Sequence, residues 1–343
     1  MKNNIEKACF LKLTQRIVSW YDLYRRNLPW RETQDPYKIW ISEIILQQTR
    51  VDQGLSYYYN FIKRFPTVKE LYRADNDEVL LYWKGLGYYS RALNLHKAAY
   101  QIVEEFNGKF PKSFSALQQM KGVGKYTAAA IASICFGEAV PAIDGNFYRV
   151  FSRIFADEFD VSSTKAYPYF YQLILPLVDK DRPGDFNQAI MDIGSQLCKP
   201  KNPDCEHCPA KQECRARNLN QVEMFPVKKK KQKVEILNLQ YYFIKYKNDF
   251  LIQQRDENFI WKKLYEFPTL IPDDWKEYVS LEKKVQHKLT HRTLNITFSR
   301  IDVQHENIFE DLSSQYSYIK VNLIQAQRKT FPKPLESIIQ EWG

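Results

Sequence analysis

A chain of 343 residues is too long for one ordinary core and suits two domains. Its 44% apolar and 26% charged residues exclude a disordered or fibrous chain, and its longest weakly polar run, 127–136, is far too short to span a bilayer. Fifty basic residues against 40 acidic leave a net charge of +10.

The excess is unevenly placed. Residues 1–227 carry 30 basic against 25 acidic groups, the run KKKKQK at 228–233 adds five, and 234–343 balance at 15 each. A polyanion is the natural partner. Nucleic acid is favoured over a membrane surface because no basic amphipathic helix stands out, although charge alone also fits simple solubility. Residues 1–13 mix Lys, Asn and Glu with apolar side chains and do not read as a signal peptide, so a soluble cytoplasmic protein is expected.

From residue 14 to 218 the pattern is helical almost throughout. VDQGLSYYYNFIKRF, NDEVLLYWKGL and SRALNLHKAAYQIVEEF place apolar residues three and four apart, separated by breaks such as GLGYY, NGKFPKS and DRPGD. The texture changes after Phe225-Pro226. LNLQYYFIKYKNDFLIQQR reads as two strands around a Lys-Asn-Asp turn, LNITFSRIDV as another strand and KPLESIIQEW as a closing helix. The expected architecture is an all-α domain over 1–222, a basic linker over 223–235, and a small α+β module over 236–343 whose strand order stays open.

Four features carry chemistry. In YKIWISEIILQQT, Glu43 stands among Trp40, Ile41, Ile44, Ile45 and Leu46, which leave the helix almost no polar face. A glutamate so placed is desolvated, keeps its proton to higher pH, and can act as an acid near neutrality; a carboxylate reaching solvent or pairing with Arg50 is the plainer alternative. In MKGVGKYTAAAI, Gly122, Val123 and Gly124 open an alanine-rich helix and let amide groups face an anion, with a helix-hairpin-helix unit expected at about 114–135. Alone, this motif is an ordinary tight turn between helices. In VPAIDGNFYRV, Asp144 precedes Gly-Asn and is otherwise a helix cap. Finally, Cys198, Cys205, Cys208 and Cys214 lie within seventeen residues with Cys-x6-Cys-x2-Cys-x5-Cys spacing. In a reducing compartment this is a metal loop, and the spacing physics by itself suits zinc or an iron–sulfur cluster. Cys9 and Cys135, in apolar helical surroundings, read as buried bystanders.

Helix, Gly-Val-Gly, helix, a downstream Asp and the four-cysteine loop together resemble the endonuclease III superfamily of DNA glycosylases over roughly residues 10–220. That resemblance implies a [4Fe–4S] cluster on the cysteine loop. Members that also cut the backbone carry a lysine just inside the second hairpin helix, where GVGKYT here places Tyr126. A phenol cannot form a Schiff base, so the likeness points to the branch that only removes a base, the MutY-type adenine glycosylases. LPWRETQDPYKIWISEIILQQTRV, WKGLGYYSRA and FNQAIMDIGSQLC are similar to other blocks of that branch, and WKKLYEFP resembles its appended Nudix-like domain. The glutamate-rich metal box of Nudix hydrolases is absent, so that domain is expected to recognise rather than hydrolyse.

The resemblance implies an adenine glycosylase acting, as a monomer, on double-stranded DNA with adenine opposite 8-oxoguanine or guanine. It puts Arg26, Leu28, Trp30, Arg31, Leu46, Val51, Gln188 and Met191 around the flipped base. It makes Glu43 the acid and Asp144 the stabiliser of the sugar cation, with Tyr126 and Asn146 organising both. Gln48, Thr49, Leu86 and Tyr88 would wedge into the duplex, and Thr290 and His291 would read the lesion, although Leu289 stands where the family has an aromatic residue. Three other functions stay open. Against a bifunctional glycosylase/lyase of this fold stand Tyr126 and the extra domain; a non-catalytic damage-binding protein would need neither carboxylate; a Nudix hydrolase with a helical extension lacks the metal box.

Overall fold

The computed structural model describes residues 2–229, 234–255 and 260–343, with side chains of 2–10 and 274 excepted. Most of the lysine run, and the side chain of Cys9, therefore lie outside the described residues. Two compact units result, Met1–Arg73 with Asn94–Lys231, and Ala74–Leu93 with Gln232–Gly343.

The first unit is helical. It holds α1 (Lys2–Tyr24), α2 (Pro36–Leu46), α3 (Val51–Arg64) and α4 (Val68–Arg73). After α5 (Asn76–Trp83), which belongs to the second unit, it resumes within α6 (Ser90–Glu104). It then continues with α7 (Phe114–Leu117), α8 (Lys125–Phe136), α9 (Gly145–Phe155), α10 (Ala166–Ile174), α11 (Pro183–Asp192) and α12 (Arg215–Asn218).

Local chemistry explains the elements that matter most. Asp35 caps α2 by accepting from the Tyr37 amide, Pro36 supplies a preset φ, and the burial of Ile39 through Ile45 fits a helix without a polar face. In α8, Ala128, Ala129, Ala130 and Ala132 are fully buried, so α2 and α11 both pack closely against it. Gly184 of α11 completes that fit, because a Cβ there would lie 2.8 Å from the Ile134 Cα. A second core gathers α1, α9, α10 and α11 through Ile17, Tyr21, Phe147, Phe151, Phe170 and Phe186. Among the described residues no helix is long and apolar enough to cross a membrane.

The second unit is a mixed sheet of β1 (Glu235–Tyr246), β2 (Asp249–Gln254), β3 (Tyr265–Glu266), β4 (Val279–Lys288), β5 (Arg292–Asp302) and β6 (Ile319–Asn322), with α13 (Glu306–Tyr316), α14 (Leu323–Gln327) and α15 (Lys333–Trp342). The order is β3-β2-β1-β5-β4, with β6 on β2; β1 and β5 run parallel from Glu235↔Arg292 to Lys245↔Asp302. Neighbouring residues point to opposite faces, so Tyr241 and Phe243 meet Leu335, Ile338 and Trp342 of α15. Ile244 joins Phe309 and Leu312 of α13 on the other face. A helical domain followed by a small α+β module is what the sequence pattern implies.

Candidate active site

A cavity of about 1200 Å³ opens in the helical unit. Its walls come from the segment around Pro29–Arg31, from α2 and the turn after it, from the Gly-Val-Gly turn with the start of α8, and from α9 and α11. Arg26, Leu28, Trp30 and Arg31 line one side, Glu43, Leu46, Gln48, Thr49 and Val51 a second, and Gly122, Gly124 and Tyr126 a third. Asp144, Asn146, Gln188 and Met191 complete it. Val123 is buried behind the turn rather than on the wall.

Glu43 is 8% exposed and does not reach solvent as an ordinary surface acid would. Burial pushes its pKa up to about 7, and the Asp144 charge adds to the rise. A hydrogen bond from Tyr126 and the Arg31 charge oppose it. Arg50, the partner offered by the plainer reading, is absent from these influences. The Tyr126 hydroxyl oxygen also lies 3.5 Å from the Met191 Sδ, and burial keeps the phenol firmly protonated.

Asp144 is the N-cap of α9, accepting from the Phe147 amide at 2.9 Å and from the Asn146 Nδ2 at 2.7 Å. Burial raises its pKa while these donors and the Arg149 charge favour the ionised form. The cap is thus structural and electrostatic at once. The Asn146 carbonyl in turn accepts from the Arg149 Nη2 at 2.8 Å, and the same guanidinium donates to the carbonyls of Gly194 and Cys198, each at 2.7 Å. A π-turn over Ile193–Leu197 aims those carbonyls at it. Gly194 must be glycine, since a Cβ would fall 2.6 Å from the Asn146 Cβ. Asn187, fully buried, donates to the Ser133 hydroxyl and Val140 carbonyl and accepts from the Ala142 amide, holding the strand-like approach to Asp144.

With this geometry in place, likeness to known proteins becomes informative. Residues 41–167 match the family model of the HhH-GPD superfamily base excision DNA repair protein, and 240–341 match the NUDIX domain. An adenine DNA glycosylase of Buchnera aphidicola from Schizaphis graminum is 36% identical over 340 residues, covering 95% of this chain and 97% of that protein. The chain belongs to the adenine DNA glycosylase family. It is accordingly a base excision repair enzyme. The human adenine DNA glycosylase is 44% identical over 210 residues, 59% of this chain and 38% of the human protein. A solved thermostable thymine-DNA glycosylase superposes with a TM-score of 0.58 at 28% identity, covering 64% of this chain and 100% of its own. Endonuclease III trapped on DNA superposes at 0.54 with 18% identity, covering 62% and 98%, and shares the fold.

In this adenine glycosylase the cysteine loop packs around Arg153, which is 1% exposed. Its guanidinium donates to the carbonyls of Lys199, Pro200, Val222 and Phe225 at 2.7–3.1 Å and approaches the Cys198 Sγ at 3.3 Å. Cys214 Sγ contacts the Arg153 carbonyl at 3.4 Å. Burial, reinforced by the other sulfurs, raises the pKa of Cys205, Cys208 and Cys214, to about 12 for Cys208. Among the described residues no group of three or more His, Cys, Asp or Glu side chains stands ready as a metal site. The donor set, four half-buried thiols on one loop, fits a metal centre, either an iron–sulfur cluster or zinc. Cys135 is half-buried, with its thiol pushed up to about 12.

Leu86, Tyr88, Thr290 and His291 fall in the second unit of the glycosylase. Gly85 and Gly87 take φ of +95° and +73°, and Tyr88 itself takes +47°, which swings the ring outward. Its hydroxyl hydrogen-bonds the Thr290 hydroxyl at the tip of the β4–β5 hairpin. His291 is exposed beside it, whereas Leu289 turns toward the sheet core. Leu86 is buried, and Arg91 lies over the rings of Trp83 and Tyr88. Sequence reasoning missed Arg149, Asn187, Asp192 and Gly194; all but Arg149 stand in the quoted FNQAIMDIGSQLC block, which was the available signal.

Proposed function

We propose that the enzyme hydrolyses the N-glycosidic bond of adenine mispaired with 8-oxoguanine or guanine in double-stranded DNA, leaving an intact strand with an abasic site. The observation that carries this reading is the pair of carboxylates in one cavity, Glu43 holding its proton to about pH 7 and Asp144 backed by hydrogen-bond donors.

The target atom is hidden in the base stack, so adenine flips into the cavity, a step made easier by a mispair. Leu28, Trp30, Leu46 and Val51 offer apolar walls, while Arg26, Arg31, Gln188 and Met191 approach the edges of the base. Glu43 donates its proton to ring nitrogen N7. The C1′–N9 electron pair then leaves with adenine, and the sugar develops oxocarbenium character. Asp144 stabilises that cation or bonds to it transiently, and water completes the hydrolysis at C1′. Tyr126 keeps Glu43 oriented, and Asn146 does the same for Asp144.

Tyr126 supports a reaction that stops there, because its phenol offers no amine to the sugar. The lysine on the cavity wall, Lys125, places its Nζ 4.3 Å from the Tyr167 ring centroid. Thr290 and His291, with Tyr88, read the lesion opposite adenine, and Gln48, Thr49 and Leu86 hold the duplex open. Cys198, Cys205, Cys208 and Cys214 hold a [4Fe–4S] cluster. Once bound, it would cross-link that loop beside the exposed Lys199, Lys201 and Arg215, the cations that would meet a DNA backbone.

The test is single-turnover cleavage of duplexes carrying adenine opposite 8-oxoguanine, guanine or thymine. Fast release from the first two, with strand breaks only after hot alkali, is expected. Preferential action on the thymine duplex, or borohydride trapping of the enzyme on DNA, contradicts the reading.

A further inference from the structure

Two of the cations on the cavity wall, Arg26 and Arg31, are held by one anion that does not itself line the cavity. Asp192, at the end of α11, is fully buried. Its Oδ1 accepts from the Arg26 Nε at 2.7 Å and from the Arg31 Nη2 at 2.8 Å, and its Oδ2 accepts from the Arg31 Nη1. The Arg31 contact is a two-bond fork, the geometry in which a guanidinium is fixed in direction as well as position. Arg31 is itself nearly buried and lies 5.4 Å from the Tyr21 ring centroid.

Arg31 also faces Glu43 and Tyr126. An unpaired guanidinium beside Glu43 in a dry cavity would favour the carboxylate and remove the proton the reaction needs. We propose that Asp192 is a positioning residue for the glycosylase reaction: it holds Arg26 and Arg31 against the cavity wall and draws the Arg31 charge away from the proton donor Glu43. The inference rests on Glu43 being that donor.

The groups facing Glu43 are Tyr126 and Cys135 from α8, Asp144 from α9 and Arg31 from the Pro29–Arg31 turn. Asp192→Asn keeps the shape, removes the charge and turns one accepting oxygen into an NH2 donor. Burial works against the charge of Arg31, and Asp192 is what outweighs it in the native enzyme. In the variant, Glu43 becomes the neighbouring anion that can take Asp192's place.

The experiment is a pH profile of single-turnover adenine release from 8-oxoguanine duplexes between pH 5 and 9. Asp192→Asn is expected to move the alkaline limb down by about one pH unit, so that rates above the limb fall about tenfold. The double variant Asp192→Asn/Arg31→Met removes the displaced cation and should return the limb to the native position or above it. That pair also avoids the uncompensated buried arginine, which keeps the test available if Asp192→Asn folds poorly. A merely structural role lowers the plateau and melting temperature and leaves the limb where it was. An unmoved limb in Asp192→Asn, or a double variant whose limb stays below the native one, overturns the proposal. Glu43→Gln separates the two readings: if it is inactive while the Asp192→Asn limb is unmoved, only this inference fails; if it retains native turnover, the Glu43 assignment fails.

Discussion

Glu43→Gln keeps the volume of the native side chain and cannot donate a carboxylic proton. Adenine release should fall about 10²–10⁴-fold while duplex binding, read by gel shift, stays within a few-fold. The native pH profile should follow from the shift of Glu43 to about 7. Because the protonated form is the active one, activity is present below that pH and is lost as pH rises through it. A rate that climbs between pH 7 and 9 would be incompatible with Glu43 as the acid. At this scale the sequence was informative where the reason was local: the apolar ring of Ile41, Ile44 and Ile45 announced the desolvation of Glu43. Asp192 and Asn187 were silent because their partners lie far along the chain, 161 residues away for Arg31 and 45 for Ala142, and Arg149 because its carbonyl partners at Gly194 and Cys198 do too. Read alone, each is an ordinary polar residue on a helix.

The elements around the site are held by close approaches that tolerate no added atoms. Gly194→Ala would set a methyl against Asn146, with its nearest atom at 2.6 Å, and displace the residue that backs Asp144. A cost of about 1–3 kcal/mol is expected from overpacking, visible in thermal melts, with a larger loss in turnover than in binding. A cluster on the cysteine loop predicts about four irons per chain from anaerobic purification, and loss of DNA affinity or folding on chelation or in Cys205→Ser. A colourless protein with one zinc would replace the cluster by a structural metal. The helices and the β1–β2 hairpin were legible from periodicity and the Lys247-Asn248 turn, and the parallel β1–β5 pairing was not. That pairing joins strands 57 residues apart in register, for which no local pattern exists. Strand β4 escaped notice because Lys283 and His287 stand on its half-buried side, where the alternation expects apolar residues.

At the level of the molecule, the sequence suggested a clean division between a catalytic helical domain and a charge-balanced second domain. The compact unit that holds the C-terminal residues also includes Ala74–Leu93. Within that unit Asp77 accepts from the Tyr265 hydroxyl at 2.8 Å and from the Lys329 Nζ at 2.7 Å, and Lys84 pairs with Glu336 at 3.0 Å. Deleting 234–343 would strip these partners from α5, so point changes are the sharper probe. Thr290→Ala with His291→Ala should reduce the preference for 8-oxoguanine over guanine by about tenfold, the worth of a lost hydrogen bond, with little change in salt dependence. Undiminished preference would place lesion reading in the helical unit. The central claim, that this cavity removes a base and stops, is tested most directly by borohydride added during turnover of a duplex carrying adenine opposite 8-oxoguanine. The account predicts free adenine, an intact strand and no trapped enzyme; a stable enzyme–DNA adduct with strand scission before alkali would contradict it.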